Sequence, residues 1–92
     1  MAKVRDVEKR IFEVEGFRVR FLHPDGRDVR ADRMNIPQYP YKRMMKNRAS
    51  VTDWVQGRFN VRYPGFKVHV LRKGRTRAHG RYHLGTVRDT YL

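Results

Sequence analysis

The sequence contains no cysteine, so it can form neither a disulfide framework nor a thiolate metal site. It also has no run of about eighteen apolar residues, the length that a transmembrane helix needs. The charged start, MAKVRDVEKR, has no apolar stretch behind it, so no secretion signal is expected. We therefore expect a cytoplasmic chain that does not enter a membrane. Its 92 residues predict one domain, spanning residues 1–92, with a modest core.

Acidic residues are scarce after the first third of the chain. The chain carries 22 Lys and Arg against nine Asp and Glu, a net charge of +13. Seven of the nine acids lie in residues 1–32 beside eight basic residues, whereas residues 33–92 hold fourteen basic residues against Asp53 and Asp89 alone. Sixteen of the basic residues are Arg, the side chain best suited to bidentate phosphate contact. Because such a surface repels itself, its composition favours a polyanionic partner.

No motif of a known catalytic or nucleic-acid-binding family is present. The zinc-finger, basic-zipper, RNP and KH signatures are missing, as are the phosphate-loop, dinucleotide and nucleophile-elbow fingerprints. His79 and His83 have the HxxxH spacing that places two metal ligands on one face of a helix. However, Gly80 and the surrounding cations disfavour both a helix and a bound divalent metal. We therefore expect no metal and no cofactor.

The stretch from Ser50 to Leu71 predicts a helix followed by a strand. Ser50 can cap the first turn, and Asp53, three residues later, completes a capping box. Pro64-Gly65 ends the helix, because proline cannot continue it and glycine can take the left-handed turn. Apolar residues recur at helical spacing before this stop, at Val51, Trp54, Val55 and Phe59, and alternate after it, at Phe66, Val68 and Val70. A central helix and a strand therefore share one apolar surface.

The N-terminal third predicts an antiparallel β-meander. We expect residues 1–8 to be loosely ordered or to form a short helical turn. Period-two patterning then predicts a strand over 10–15, a tight turn at Glu15-Gly16 and a second strand over 17–21. The turn signal HPDG at 23–26 precedes a third short strand over 27–30.

Residues 31–49 predict a long loop rich in basic and aromatic side chains. Pro37 and Pro40 hold its first half away from helix, and we expect one helical turn around Lys42 to Lys46. Interleaved aromatic and basic side chains can stack on bases while they neutralise phosphates. Tyr39 and Tyr41 therefore either pack on the core, the more common outcome, or stack on bases.

Residues 72–81 predict an exposed basic loop, with six basic residues when His79 is counted with the five Lys and Arg, two glycines and no acid. Tyr82 and Leu84 suit a strand that returns along 66–71, followed by a last helical turn. The predicted fold class is therefore α+β: an N-terminal meander, one central amphipathic helix packed on the sheet, and a C-terminal β-hairpin.

The function that this sequence favours is non-catalytic binding of DNA or RNA through an Arg-rich surface formed by residues 42–81. The predicted phosphate contacts are Arg43, Lys46, Arg48, Arg58, Arg62, Lys73, Arg75, Arg77 and Arg81, and the predicted stacking platforms are Tyr39 and Tyr41.

Two other functions remain open. The basic surface can instead dock on an acidic protein, as a small regulator or inhibitor of the phage or mobile-element type would. The chain can also be a metal-independent endoribonuclease of toxin type, since such enzymes use His, Arg, Lys or Tyr to take the 2′-OH proton and stabilise the phosphate charge. The side chains available for that chemistry are His69, His79, Arg81, Tyr82 and His83.

Overall fold

The computed structural model describes residues 1–92 and contains four α-helices, one π-helical segment and two strands. In chain order they are α1 (Val4–Glu15), β1 (Arg18–Leu22), α2 (Val51–Trp54), the π-helical segment (Val55–Phe59), α3 (Asn60–Arg62), β2 (Lys67–Leu71) and α4 (Leu84–Asp89). The two strands form one antiparallel sheet, which confirms the α+β class. None of the helices combines the length and the apolar character needed to cross a membrane.

Helix α1 replaces the loose N-terminus and the first strand predicted over 10–15. Its buried residues Val4, Val7 and Ile11 follow the helical period and pack into the core. Gly16 ends the helix in a left-handed conformation, φ +83°, and donates its N–H to the carbonyl of Phe12 at 2.9 Å. The strand prediction was wrong because half of the helical pattern lies in the charged segment before Lys9.

Strands β1 and β2 occupy the positions where the alternating patterns predict them. Their antiparallel register places Arg18 opposite Leu71 and Arg20 opposite His69. The intervening residues point to the other face, where Val19, Phe21 and Val70 are buried in the core and Val68 is half-buried. The sheet therefore has a buried inner face and a second face that carries the charged residues.

The structure has neither the third strand of the predicted meander nor the returning strand of the predicted C-terminal hairpin, and each is replaced by a single β-bridge. Asp28 pairs with Leu22 at the β1 edge, and Arg77 pairs with Leu71 at the β2 edge. Each returning segment buries one apolar side chain next to its bridge, Val29 at 8% and Ala78 at 2% exposed. Neither 27–30 nor 82–84 is a strand.

The C-terminal residues instead pack beside the start of the central helix. The carbonyl of Tyr82 accepts the N–H of Val51 at 2.8 Å, and that of Gly80 accepts the N–H of Thr52 at 3.1 Å. This contact turns the chain away from β2 before α4 begins. Leu84 and Val87 of α4 are then buried in the core.

The central helix, formed by α2, the π-helical segment and α3, begins at the predicted capping box. Ser50 Oγ accepts the N–H of Asp53, and the Asp53 carboxylate accepts the N–H of Ser50, both at 3.0 Å. Trp54 and Phe59 are five residues apart, which would separate them by about 140° on a regular α-helix. The π turn, closed by the N–H of Asn60 on the carbonyl of Val55, brings both rings into the core.

The 31–49 segment is a loop throughout, and the helical turn expected around Lys42 to Lys46 does not form. Ile36 pairs with Ala2 through two backbone hydrogen bonds of 2.8 and 3.0 Å, and its side chain is buried. Farther along, the backbone N–H of Met45 donates to the carboxylate of Glu15 at 2.9 Å. The loop is therefore tied to α1 at both ends of that helix.

Candidate nucleic-acid interface

The face of the sheet opposite the core is cationic. Side chains alternate along a strand, and cross-strand partners share a face, so the β1–β2 register determines which residues lie together. We call this surface the outer sheet face and define it by Arg18, Arg20, Lys67, His69 and Arg77. It also carries Leu22 and Leu71, both nearly buried, and one carboxylate, Asp28.

Two grooves adjoin this face. The edge groove runs between α1 and the sheet and is lined by the cations Arg5, Lys9, Arg18, Arg20 and Arg75, with Glu8 and Asp28 as its acids. The turn groove is lined by Phe12, Arg18, Arg72, Lys73, Gly74, Arg75 and Tyr91, and contains no acid. Because both grooves include Arg18 and Arg75, they form one continuous cationic surface with the outer sheet face.

The turn that follows β2 holds its cations in a defined backbone conformation. Arg72 and Thr76 are joined by an N–H to carbonyl bond of 2.7 Å, and the N–H of Lys73 donates to Thr90 Oγ1 at 3.0 Å, which anchors the turn to the end of α4. Gly74 and Arg75 both adopt left-handed conformations, φ +88° and +67°. For Arg75 this conformation is strained, since a Cβ is disfavoured there by about 1–2 kcal/mol.

The surroundings of His69 disfavour its protonation. Burial, together with the positive charges of Arg77 and Arg20, lowers the pKa of His69 below its ordinary value. Asp28 opposes this effect, and its carboxylate lies 3.9 Å from the Arg20 guanidinium. An anion placed on the outer sheet face would therefore favour protonation of His69.

Few of the cations have a carboxylate partner. Only six of the 22 Lys and Arg side chains form ion pairs, and four of those pairs lie within the first 32 residues. Of the fourteen basic residues after position 32, only Arg58 and Arg88 are paired, both with the buried Glu15. The N-terminal acids therefore leave the remaining twelve cations without a counter-charge.

The predicted contact residues fall into separate groups. Lys73, Arg75 and Arg77 come together with β1 cations around the turn and the outer sheet face. Arg81 lies in a different, shallow pocket beside Thr52. The side chains of Arg43, Lys46, Arg48 and Arg62 are exposed on the 31–49 loop and at the end of α3, and none of them lines either groove.

Arg58 and Tyr39 belong to an internal network around Glu15. This carboxylate is 0% exposed and accepts hydrogen bonds from Arg58, from the Tyr39 hydroxyl at 2.5 Å and from Arg88 at 3.2 Å. The Tyr39 hydroxyl also accepts the Trp54 indole N–H at 3.0 Å. Tyr39 is 2% exposed, so its ring has no free face on which a base can stack.

Tyr41 is half-buried beside this network. The guanidinium carbon of Arg58 lies 4.4 Å from the centroid of the Tyr41 ring. Arg58 Nη1 also donates to the carbonyl of Arg43 at 2.7 Å, so this nitrogen is used within the protein. Arg58, Tyr39 and Tyr41 therefore join α1, the 31–49 loop and the central helix, and the structure gives them packing roles.

The interface contains cations that the sequence prediction did not include. They are Arg5, Lys9, Arg18, Arg20, Lys67 and Arg72. The available signal was the alternation of Arg18 and Arg20 with buried apolar residues in one strand, and of Lys67 and His69 in another. Only the pairing of the two strands turns these separate alternations into one surface.

The side chains considered for ribonuclease chemistry are split between two places. His79, Arg81 and Tyr82 share the shallow pocket beside Thr52, where the His79 and Tyr82 rings stack with centroids 6.1 Å apart. His69 lies on the outer sheet face, and His83 caps the start of α4. No group of three or more His, Asp or Glu side chains is arranged to hold a metal ion.

Comparison of the chain with protein-family models, with curated proteins and with solved structures finds no match. Any functional conclusion therefore rests on the site itself.

Proposed function

We propose that this protein binds nucleic acid through the outer sheet face and its two grooves. The observation that carries the proposal is the continuity of this surface: the face and the grooves meet at Arg18 and Arg75, and Arg20, with Asp28, is the only one of its cations that forms an ion pair. Apposed like charges destabilise the free protein, and a phosphate backbone laid along them would remove that repulsion.

The outer sheet face favours phosphate contacts over base reading. Its members are cations, two nearly buried leucines and His69, whose imidazole is the only ring on this face on which a base can stack. Phosphate contacts position a nucleic acid without selecting its sequence. We therefore expect the sheet face to bind different sequences with similar affinity.

The proposal is tested with two variants of equal net charge. The face variant carries Arg18→Gln, Arg20→Gln and Arg77→Gln, and the loop variant carries Arg43→Gln, Lys46→Gln and Arg48→Gln. In mobility-shift assays with single-stranded DNA, duplex DNA and duplex RNA, the face variant should lose at least about tenfold in affinity for whichever species the wild type binds. The loop variant should lose less than about threefold.

Equal losses in the two variants would contradict the proposed surface, since net charge alone would then account for binding. A pull-down before and after nuclease treatment distinguishes a nucleic-acid partner from an acidic protein partner. Loss of the bound material after treatment supports nucleic acid, and a specific protein retained after treatment overturns the proposal.

One pocket favours a second candidate, metal-independent RNA cleavage. His79, Arg81 and Tyr82 line the same pocket, which offers a proton acceptor, a phosphate-binding cation and a hydroxyl. Labelled RNA incubated with the purified protein in chelator tests this candidate. Cleavage that disappears in His79→Gln supports it, and intact RNA excludes it.

A further inference from the structure

Arg72 is the one cation of the turn groove whose guanidinium is partly enclosed, with its carbon 5.4 Å from the centroid of the Tyr82 ring, and it has no anionic partner. Its Nε is buried and has no hydrogen-bond acceptor, and its only hydrogen bond is a long one, 3.4 Å, from a terminal nitrogen to the Tyr82 hydroxyl. No carboxylate pairs with it. A guanidinium in this state lacks the anion that normally balances its charge, and a phosphate oxygen that accepts from its terminal nitrogens would supply that charge.

Half-buried aromatic rings lie beside this cation. Phe12 of α1 and Tyr91 after α4 line the turn groove, with ring centroids 5.8 Å apart. The guanidinium carbon of Arg18 lies 4.5 Å from the Phe12 centroid. The turn groove thus combines ring surfaces and a stacked guanidinium with phosphate-binding cations, a combination that the outer sheet face does not have.

Tyr91 also fixes the geometry of the groove. Its hydroxyl accepts the N–H of Arg18 at 3.1 Å and donates to the carbonyl of Leu71. These bonds connect Tyr91 to the first residue of β1 and to the last residue of β2. The groove is therefore built by four parts of the chain, α1, β1, the turn after β2 and the C-terminus.

We propose that the turn groove binds an unpaired nucleotide, with its phosphate on Arg72 and its base against Phe12 and Arg18, so that the protein prefers single-stranded over duplex nucleic acid. This inference rests on the proposed function. An aromatic or guanidinium plane can stack only on a base that is splayed out, whereas a duplex keeps its bases paired and offers the groove phosphates alone.

The test uses fluorescence anisotropy with one short sequence presented as a single strand and as a duplex. Wild type should bind the single strand at least about tenfold more tightly than the duplex at equal salt. Phe12→Leu, which keeps an apolar side chain but removes the ring, should weaken single-strand binding about tenfold and duplex binding by less than about threefold, so the preference for single strands should shrink.

Phe66→Leu is the matched control. Phe66 is also half-buried with a guanidinium over its ring, that of Arg33 at 5.0 Å, but it lies outside the turn groove. It should change neither affinity. Trp54 fluorescence during urea unfolding checks that both variants fold, and in wild type we expect NMR contacts between base protons and the Phe12 ring.

The phosphate part of the inference is tested by Arg72→Gln against Arg62→Gln. For the single strand, Arg72→Gln should make the negative slope of log affinity against log salt shallower by about 0.7, and Arg62→Gln should leave it unchanged. Equal single-strand affinities for Phe12→Leu and Phe66→Leu, or no preference for single strands, would overturn the inference while leaving salt-dependent binding intact. Failure to bind any nucleic acid would instead overturn the proposed function itself.

Discussion

Replacement of the buried Glu15 by Gln should destabilise the protein more than any surface charge change. Each carboxylate oxygen accepts two hydrogen bonds, one from a guanidinium and one from either the Tyr39 hydroxyl or the Met45 N–H. A Gln side chain keeps one acceptor and points an NH2 group at donors. Removing one partner of a buried ion pair typically costs about 3–5 kcal/mol, a large part of the roughly 5–14 kcal/mol expected for a domain of this length.

Urea unfolding followed by Trp54 fluorescence measures this effect, because the only tryptophan is buried and its indole N–H is bonded to the same network. With a slope of about 1.5 kcal/mol per molar urea, Glu15→Gln should lower the midpoint by about 2–3 M. The matched control is Glu13→Gln, because the Arg10–Glu13 pair is 40% and 50% exposed and spans 3.6 Å. That variant should cost less than about 0.5 kcal/mol, and equal midpoints for the two would refute the reasoning.

Three further predictions concern the interface and its edges. Arg75→Gly should relieve the left-handed backbone strain while removing a cation, so the free energy of unfolding stays level or rises by up to about 1 kcal/mol while nucleic-acid affinity falls; a loss of stability would contradict this. Burial raises the pKa of Glu8, so the native state holds this proton more tightly than the unfolded chain and stability falls as pH rises from the ordinary pKa through the raised one. Glu8→Gln, whose oxygen still accepts the N–H of Phe21, should therefore be more stable than wild type at pH 7 in urea unfolding, with the difference vanishing in acid. The lowered pKa of His69 should rise when a nucleic acid saturates the protein, so binding takes up protons and tightens as pH falls between the free and bound pKa values; an unchanged NMR titration curve would contradict contact with this face.

The central helix was predictable because its signals are local. The Ser50 cap, the Asp53 partner and the Pro64-Gly65 stop lie within the segment they define, and the structure places each as the sequence indicates. The π turn was not predictable, because its position depends on tertiary packing, which places both Trp54 and Phe59 in the core.

The N-terminal helix was missed because its short apolar run is compatible with both the period of a strand and the period of a helix. Phe12 and Val14 alternate and suit a strand when taken alone, and only Val4 and Val7, inside a charged segment, reveal the helical period. Tertiary packing of that segment on the core decided the outcome.

The Glu15 network could not be inferred from the sequence at all. Glu15 stands before a glycine and resembles a turn residue, and its partners Tyr39, Arg58 and Arg88 lie 24, 43 and 73 positions away. The cationic surface could be inferred only in part for a related reason: composition identified the excess charge, but only strand pairing placed Arg18 and Arg20 on the same face as Arg77.

The salt dependence of binding tests the central claim most directly. If Arg18, Arg20, Lys67, Lys73, Arg75 and Arg77 all contact phosphates, log affinity should fall with log salt at a slope of about −5 for a duplex or about −4 for a single strand. The face variant, which lacks Arg18, Arg20 and Arg77, should show a slope about 2–3 units shallower, and the loop variant should keep the wild-type slope. A wild-type slope near zero, or equal slopes for the two variants, would contradict a phosphate-binding surface on this face of the sheet.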